Sequence, residues 1–235
     1  MITVCMSYYN RKPQLHNTFE SMKQSKLISE VFIVIVDDAS DEEHLLTDDD
    51  IPFPHKLITH TKEEKWWVNA GYANNVALKN IPQETDVILL QNPENYHVGD
   101  VIEKVKEVKD DEYHIFSCYN LPKGFSLNSP TINSSHWTFT REGWLCHSQY
   151  NPNIYNFACA FTPNTLSKIG YFDERFYNGV TCDDDEWCGR VYKKKINIIR
   201  HDTPFVKHQY HDINILNFDE LKEINYKIWD IIKNE

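Results

Sequence analysis

The sequence predicts an α/β fold around a mostly parallel central sheet, and three observations carry that expectation. Apolar runs at 31–36 (Val-Phe-Ile-Val-Ile-Val) and 86–90 (Asp-Val-Ile-Leu-Leu) suit strands buried on both faces. Between such runs lie segments of helical spacing, at 13–26 with Leu15, Phe19 and Met22, and at 69–80 with Ala70, Ala73, Val76 and Ala77. The β-α-β-α order over residues 1–120 implies right-handed crossovers, and therefore parallel strands.

Taken in order, residues 2–6 form a short apolar run that ends in the polar turn Ser7-Tyr8-Tyr9-Asn10-Arg11. Residues 41–50 are acidic and read as solvated, and 56–60 as a further strand. Val98, Val101, Ile102, Val105 and Val108 repeat at helical spacing, and 114–118 reads as a strand. Periodicity breaks down over 120–155, where His136, Trp137, Trp144 and His147 stand among many Ser and Asn residues. That composition fits a substrate-facing loop better than a core element. A helix is expected over 162–169, closed by Gly170 as a C-cap. Another opens at the acidic segment and runs to Lys194, a strand follows at 197–200, and 216–232 reads as an amphipathic helix. With no internal repeat and no low-complexity linker, the expectation is one domain over 1–235, with functional halves at 1–118 and 119–235.

Composition narrows the class of function. Hydrophobic residues make up 41% and aromatics 13% of the 235 residues, a globular balance. Lys plus Arg number 24 against 35 Asp plus Glu, a formal charge of −11, which argues against nucleic-acid binding and against docking on anionic membrane. Cys5, Cys118, Cys146, Cys159, Cys182 and Cys188 show no C-x-x-C pair, so they read as reduced thiols. No apolar run approaches the roughly 20 residues of a transmembrane span. The first strand starts at Ile2 and leaves no room for a signal peptide, so a soluble, cytoplasmic protein is expected.

Two carboxylate features point to chemistry. Residues 183–186 (Asp-Asp-Asp-Glu) precede Trp187 and Arg190. Adjacent carboxylates repel each other, so they persist in a fold only when solvated or when they bind something positive. A solvated helix start favoured by the helix dipole is the plain alternative. Asp37 and Asp38 end an apolar strand, at the edge where open α/β sheets bind ligands. Together they point to an enzyme handling a metal-bound, phosphate-bearing substrate.

In order, these segments resemble the family 2 glycosyltransferases of GT-A fold over nearly the whole chain. Val4-Cys-Met-Ser7-Tyr8-Tyr9-Asn10 is similar to the family's first strand and S-Y-N turn, and Val34-Ile-Val-Asp37-Asp38-Ala-Ser40 to its V-D-D-x-S motif. Tyr72-Ala-Asn-Asn75 resembles the A-x-N helix start, and Ile169-Gly-Tyr-Phe-Asp173-Glu174-Arg-Phe176 the G-G-F-D-E-x-F segment. Asp183-Asp184-Asp185-Glu186-Trp187-x-x-Arg190 is similar to E-D-x-D-L-x-x-R. One departure stands out: the metal-binding D-x-D appears as Gln91-Asn92-Pro93-Glu94, with Gly99-Asp100 following where the family often has P-D.

The resemblance implies a Rossmann-like three-layer α/β/α fold and an inverting transfer from a nucleotide-diphosphate sugar, UDP-linked, to a glycan or other hydroxyl acceptor. Asp184 would be the general base. A divalent cation, Mn²⁺ or Mg²⁺, would neutralise the departing diphosphate, with Glu94 as first ligand candidate and His208 as second. A helix-capping carboxylate and a packed histidine are the respective structural alternatives. The resemblance puts Ser7, Tyr9 and Asp38 at the nucleoside, with Asp37 either touching it or holding the loop, and Asn69 and Lys65 within reach of phosphate. Asp183 would meet the acceptor, and Trp144 and Trp137 either stack on a sugar or pack in the core. Such an enzyme suits modification of a glycan or protein inside a bacterial or virus-infected cell. Rival readings are a retaining transferase, a nucleotidyltransferase (against which residues 8–13 supply no glycine for a phosphate loop) and a binding module without metal-dependent turnover.

Overall fold

The structure, a computed structural model, describes residues 1–135, 141–212 and 216–233. Its first half alternates strands and helices: β1 (Ile2–Tyr8), α1 (Lys12–Met22), β2 (Val31–Asp38), β3 (His55–His60), α2 (Gly71–Lys79) and β4 (Val87–Gln91). Helix α1 buries Leu15, Phe19 and Met22, the stripe its spacing predicts, and carries Pro13 in the first turn, where a missing N–H does no harm. The strands align as β3-β2-β1-β4, all parallel.

The second half adds β5 (Asn95–Val98), α3 (Val101–Val105), β6 (Glu112–Asn120), β7 (Gly143–Cys146), β8 (Ala158–Phe161), α4 (Pro163–Ile169), α5 (Asp183–Lys193), β9 (Asn197–His208) and α6 (Phe218–Ile232). The sheet runs β3-β2-β1-β4-β8-β6-β9-β5, with β7 paired to β6. Strands β1, β2, β3, β4, β6 and β9 share one direction while β5, β7 and β8 run against it, so the sheet is mostly parallel. One apolar core underlies both halves, from Ile2 and Val34 to Phe161 and Trp187, and all six cysteines are buried and free.

The reversed strands β5, β7 and β8 are not anticipated by periodicity, and β9 is longer than the expected 197–200. Strands β7 (Gly-Trp-Leu-Cys) and β8 (Ala-Cys-Ala-Phe) are four residues each, buried throughout, and too short to show a period of two. The residues 143–146 of β7 lie inside the stretch read as loop. Thr162 caps α4 by accepting from the Thr165 amide at 3.1 Å, and Gly170 ends it with φ +87°. A side chain at Gly170 would also meet Arg190 Nη1, which lies 2.9 Å from its Cβ position. Among the described residues, no helix is long and apolar enough to cross a membrane.

Candidate active site

The carboxyl ends of β1 and β2 form one wall. Asp37 is fully buried and spent on the backbone: Oδ1 accepts from the Ser40 amide at 3.0 Å and Oδ2 from the Leu46 amide at 2.9 Å. It holds the loop after β2. Asp38 faces the other way, its Oδ2 accepting from Lys65 Nζ at 2.7 Å and its Oδ1 from Trp67 Nε1 at 2.7 Å. Burial raises the Asp38 pKa, with Lys65 and Trp67 opposing the rise. Lys65 also sits 4.9 Å from the centre of the exposed Tyr9 ring, and the Trp67 indole stacks on Tyr72 at 3.6 Å. Ser7, half-buried, closes the same edge. Tyr9, Lys65, Asp38 and Trp67 thus form a connected group with an open aromatic face.

The turn after β4 supplies a second wall. Glu94 is 1% exposed, and His208 Nε2 lies 3.1 Å and His211 Nε2 3.6 Å from its Oε1. The two residues predicted as metal ligands therefore meet, and His211 joins them. Ligand atoms of Glu94, His208 and His211 all lie within 4.8 Å of one another. A carboxylate and two imidazoles suit a borderline cation such as Mn²⁺ better than Mg²⁺. Arg11, at the start of α1, also reaches this carboxylate, its Nη1 lying 2.9 Å from Oε1 and 2.8 Å from Oε2. Burial by itself would raise the Glu94 pKa; the Arg11 charge and the histidines overturn that and hold it well below the usual carboxylate range. Burial also pushes the His211 pKa down to about 4, so its ring is neutral and able to donate a lone pair.

The acidic segment forms the first turn of α5, where the helix dipole favours negative charge. Thr181 and Cys182 enter it with φ +70° and +65°, a left-handed pair that is costly for non-glycine residues and seen where a site imposes it. Glu186 and Arg190 pair through two bonds, Nε to Oε1 at 2.7 Å and Nη2 to Oε2 at 2.8 Å, while Arg190 Nη1 donates to the Ile169 carbonyl. Asp185 accepts from the Tyr155 hydroxyl at 2.6 Å. Asp183 is bonded by the Asn69 side chain. Among the described residues no side chain supports Asp184 in this way: burial, then Asp183 and Asp185, push its pKa well up. Asp183, Asp184 and Asp185 each keep partial access to solvent.

Segment 155–157 joins the two acidic sites. Tyr155 bonds Asp185, while the Phe157 carbonyl accepts from the Asn92 amide at 3.0 Å and the Phe157 ring lies 6.3 Å from that of His208. Asn69, expected near phosphate, also braces the acidic loop: its side-chain Oδ1 accepts from the Gly71 amide at 2.7 Å, and its backbone N–H donates to the Tyr177 carbonyl at 3.1 Å. Trp144 is 4% exposed and packs against Tyr119 and Phe205 in a second apolar cluster. Trp137 lies outside the described residues. Sequence reasoning missed Arg11 and His211; the His208-x-x-His211 spacing was the visible signal for the latter. It also missed Asn225 of α6, which donates to the Phe176 carbonyl at 3.2 Å and the Thr181 carbonyl at 2.9 Å and so braces the loop that enters α5.

A mostly parallel α/β sheet with acidic groups gathered at its carboxyl edge is the GT-A architecture. Residues 3–199 match the family model described as glycosyl transferase family 2, and the chain belongs to that family. Solved structures share the fold at low identity. Staphylococcus aureus TarS (residues 1–349) with UDP-GlcNAc is 14% identical with a TM-score of 0.65, over 94% of this chain and 64% of that one. GalNAc-T7 with UDP, GalNAc and Mn²⁺ is 12% identical with a TM-score of 0.67, over 93% and 44%. The mannosyltransferase PcManGT of Pyrobaculum calidifontis, with GDP-Man and Mn²⁺, is 12% identical with a TM-score of 0.56, over 93% and 59%. The chain thus spans less than two thirds of each. No curated protein sequence matches it.

Proposed function

We propose that this protein is an inverting glycosyltransferase that moves a sugar from a UDP-linked donor to a hydroxyl acceptor, using a single domain whose halves, 1–118 and 119–235, serve nucleotide and acceptor. The observation that carries the reading is the short segment 155–157, which joins the Glu94–His208–His211 group to the start of α5. Asp184, raised in pKa and free of a salt bridge among the described residues, is the general base that takes the acceptor's proton. Glu94, His208 and His211 would hold a divalent cation, which when bound supplies positive charge to the departing diphosphate. Tyr9, Ser7 and Asp38 receive the nucleoside, with Lys65 balancing Asp38. Asp183 and Trp137 are assigned to the acceptor side, while Trp144, buried with Tyr119 and Leu121, takes the packing role. UDP in the TarS and GalNAc-T7 structures supports the donor class, and Mn²⁺ in GalNAc-T7 and PcManGT supports the cation.

One observation favours a second reading. Arg11 already occupies both oxygens of Glu94, as it would in a nucleotide-binding module indifferent to metal. A melting-temperature panel of UDP, GDP, dTDP and CMP, each with Mn²⁺ or EDTA, separates the two. Stabilisation by UDP that disappears in EDTA, followed by transfer from a UDP-sugar with an inverted product anomer by NMR, supports the transferase. Metal-independent binding without turnover of any donor supports the module, and an unchanged anomer a retaining enzyme.

A further inference from the structure

Arg11 has no role in the transferase reading above, yet it is the strongest charge at the Glu94 site. It approaches the carboxylate end-on, with the single nitrogen Nη1 straddling both oxygens. The fork geometry in which two nitrogens each take one oxygen is left unused, so Nη2 and Nε make no hydrogen bond to any described residue. The side chain is 26% exposed where Glu94 is 1% exposed, so the guanidinium plugs a buried anionic pocket from the solvent side. Its position at the start of α1, directly after β1, puts it at the sheet edge that receives ligands. A buried carboxylate needs a cation, and the single nitrogen Nη1, within 2.9 Å of both oxygens, takes the position between them from which a divalent ion would chelate the carboxylate.

We propose that Arg11 is a built-in competitor for the metal: it fills the cation position of the Glu94–His208–His211 site, must leave Glu94 for a divalent ion to bind, and on leaving takes up the donor's diphosphate. This rests on the reading of Glu94, His208 and His211 as metal ligands. The arrangement keeps Glu94 ionised and compensated before any ligand arrives. It also couples metal and donor, because the diphosphate stabilises the displaced guanidinium and thereby lowers the cost of opening the site. The protein alone then binds metal weakly, and metal and nucleotide each raise the other's affinity by the same factor.

The test measures binding of Mn²⁺ alone by electron paramagnetic resonance to wild type, Arg11→Gln, Arg11→Lys, and Arg11→Gln combined with Glu94→Gln. The expected result is a gain of at least about tenfold in Mn²⁺ affinity for Arg11→Gln, none for Arg11→Lys, which keeps the charge, and loss of the gain in the double variant. At saturating Mn²⁺, UDP affinity should fall about tenfold in Arg11→Gln. If Arg11→Gln misfolds, the wild type still decides: saturating Mg²⁺ should move the Arg11 side-chain nitrogen resonance, identified by its loss in Arg11→Lys. An Arg11→Gln protein that binds Mn²⁺ no more tightly than wild type, or an unmoved resonance, overturns the proposal. If Glu94→Gln then still abolishes Mn²⁺ binding, only the competitor role has failed; if it leaves binding unchanged, the metal site itself is misassigned.

Discussion

Replacing Asp184 by Asn should slow transfer by orders of magnitude and stabilise the protein at the same time. Burial and the flanking Asp183 and Asp185 raise the Asp184 pKa in the folded state. The proton is therefore bound more tightly folded than unfolded, and its stabilising effect is complete below the unfolded value of about 3.9 and lost as pH rises through the folded one. At neutral pH the ionised group costs about 1.4 kcal/mol for every unit of that rise. Asparagine has nearly the same shape and no charge, so it removes the penalty. For a chain of this size each such unit is worth about 3–6 °C in Tm.

The assay is thermal unfolding of wild type and Asp184→Asn from pH 4 to 8, set beside the pH dependence of kcat/KM. The Tm difference should be close to zero at pH 4, open as pH rises, and level off at the folded pKa. The acid limb of kcat/KM should fall at that same pH, because one ionisation is read twice. Asp183 interacts with Asp184, so the limb belongs to the pair. Loss of a general base should lower kcat by about 10²–10⁴-fold. Full transfer by a folded Asp184→Asn protein would falsify the base assignment, and a Tm difference that ignores pH would refute the desolvation argument.

Three further changes test the surrounding geometry. Lys65→Met leaves Asp38 with Trp67 as its remaining side-chain hydrogen-bond donor among the described residues and should cost about 2 kcal/mol in urea unfolding while weakening UDP binding by calorimetry. Gly179→Ala would set a Cβ 2.3 Å from Asn225 Oδ1 and 2.5 Å from the Leu221 carbonyl oxygen, so α6 must shift. A loss of about 1–3 kcal/mol is expected, with slower transfer because the braced loop leads into α5. His211→Ala removes one nitrogen donor and should weaken Mn²⁺ binding at least about tenfold by resonance titration, with little change in the circular dichroism spectrum.

The sequence shows most clearly what depends on local chemistry. The β-branched run before Asp37, the α1 stripe and the Thr162-to-Gly170 helix each announce themselves within a few residues, and all are present. Motif residues far apart in sequence also prove to be contacts. Asn75 donates to the Phe172 carbonyl at 2.8 Å and accepts from the Phe172 amide at 2.8 Å, and Phe172 stacks on Trp187 at 4.4 Å. Less was visible where meaning depends on a partner. Asp37 and Asp38 are neighbours with opposite tasks, decided by which amide, lysine or indole each meets. Nothing in the isolated string Tyr-Asn-Arg announces that Arg11 reaches a carboxylate 83 positions away.

The clearest case is His208, whose place depends on a register that no periodic reading supplies. Strand β9 runs beside β6 from Asn197 opposite Glu112 to His201 opposite Phe116, and resumes with Val206 opposite Cys118. Between those pairs β9 advances by five residues and β6 by two, so β9 carries three extra residues. In an unbroken strand His201 and His208, an odd number apart, would point to opposite faces. The odd insertion reverses that phase, and His208 falls opposite Asn120 on one side and Asn95 on the other, beside Glu94. The same phase gives Lys207 the opposite face, where Nζ donates at 2.7 Å to the carbonyls of both Leu127 and Ser129 and holds that loop. A slip of one residue would exchange the two, putting an ammonium beside Arg11 and leaving the loop carbonyls to an imidazole. The irregularity in β9 is therefore what turns a strand paired on both sides into a ligand-bearing one.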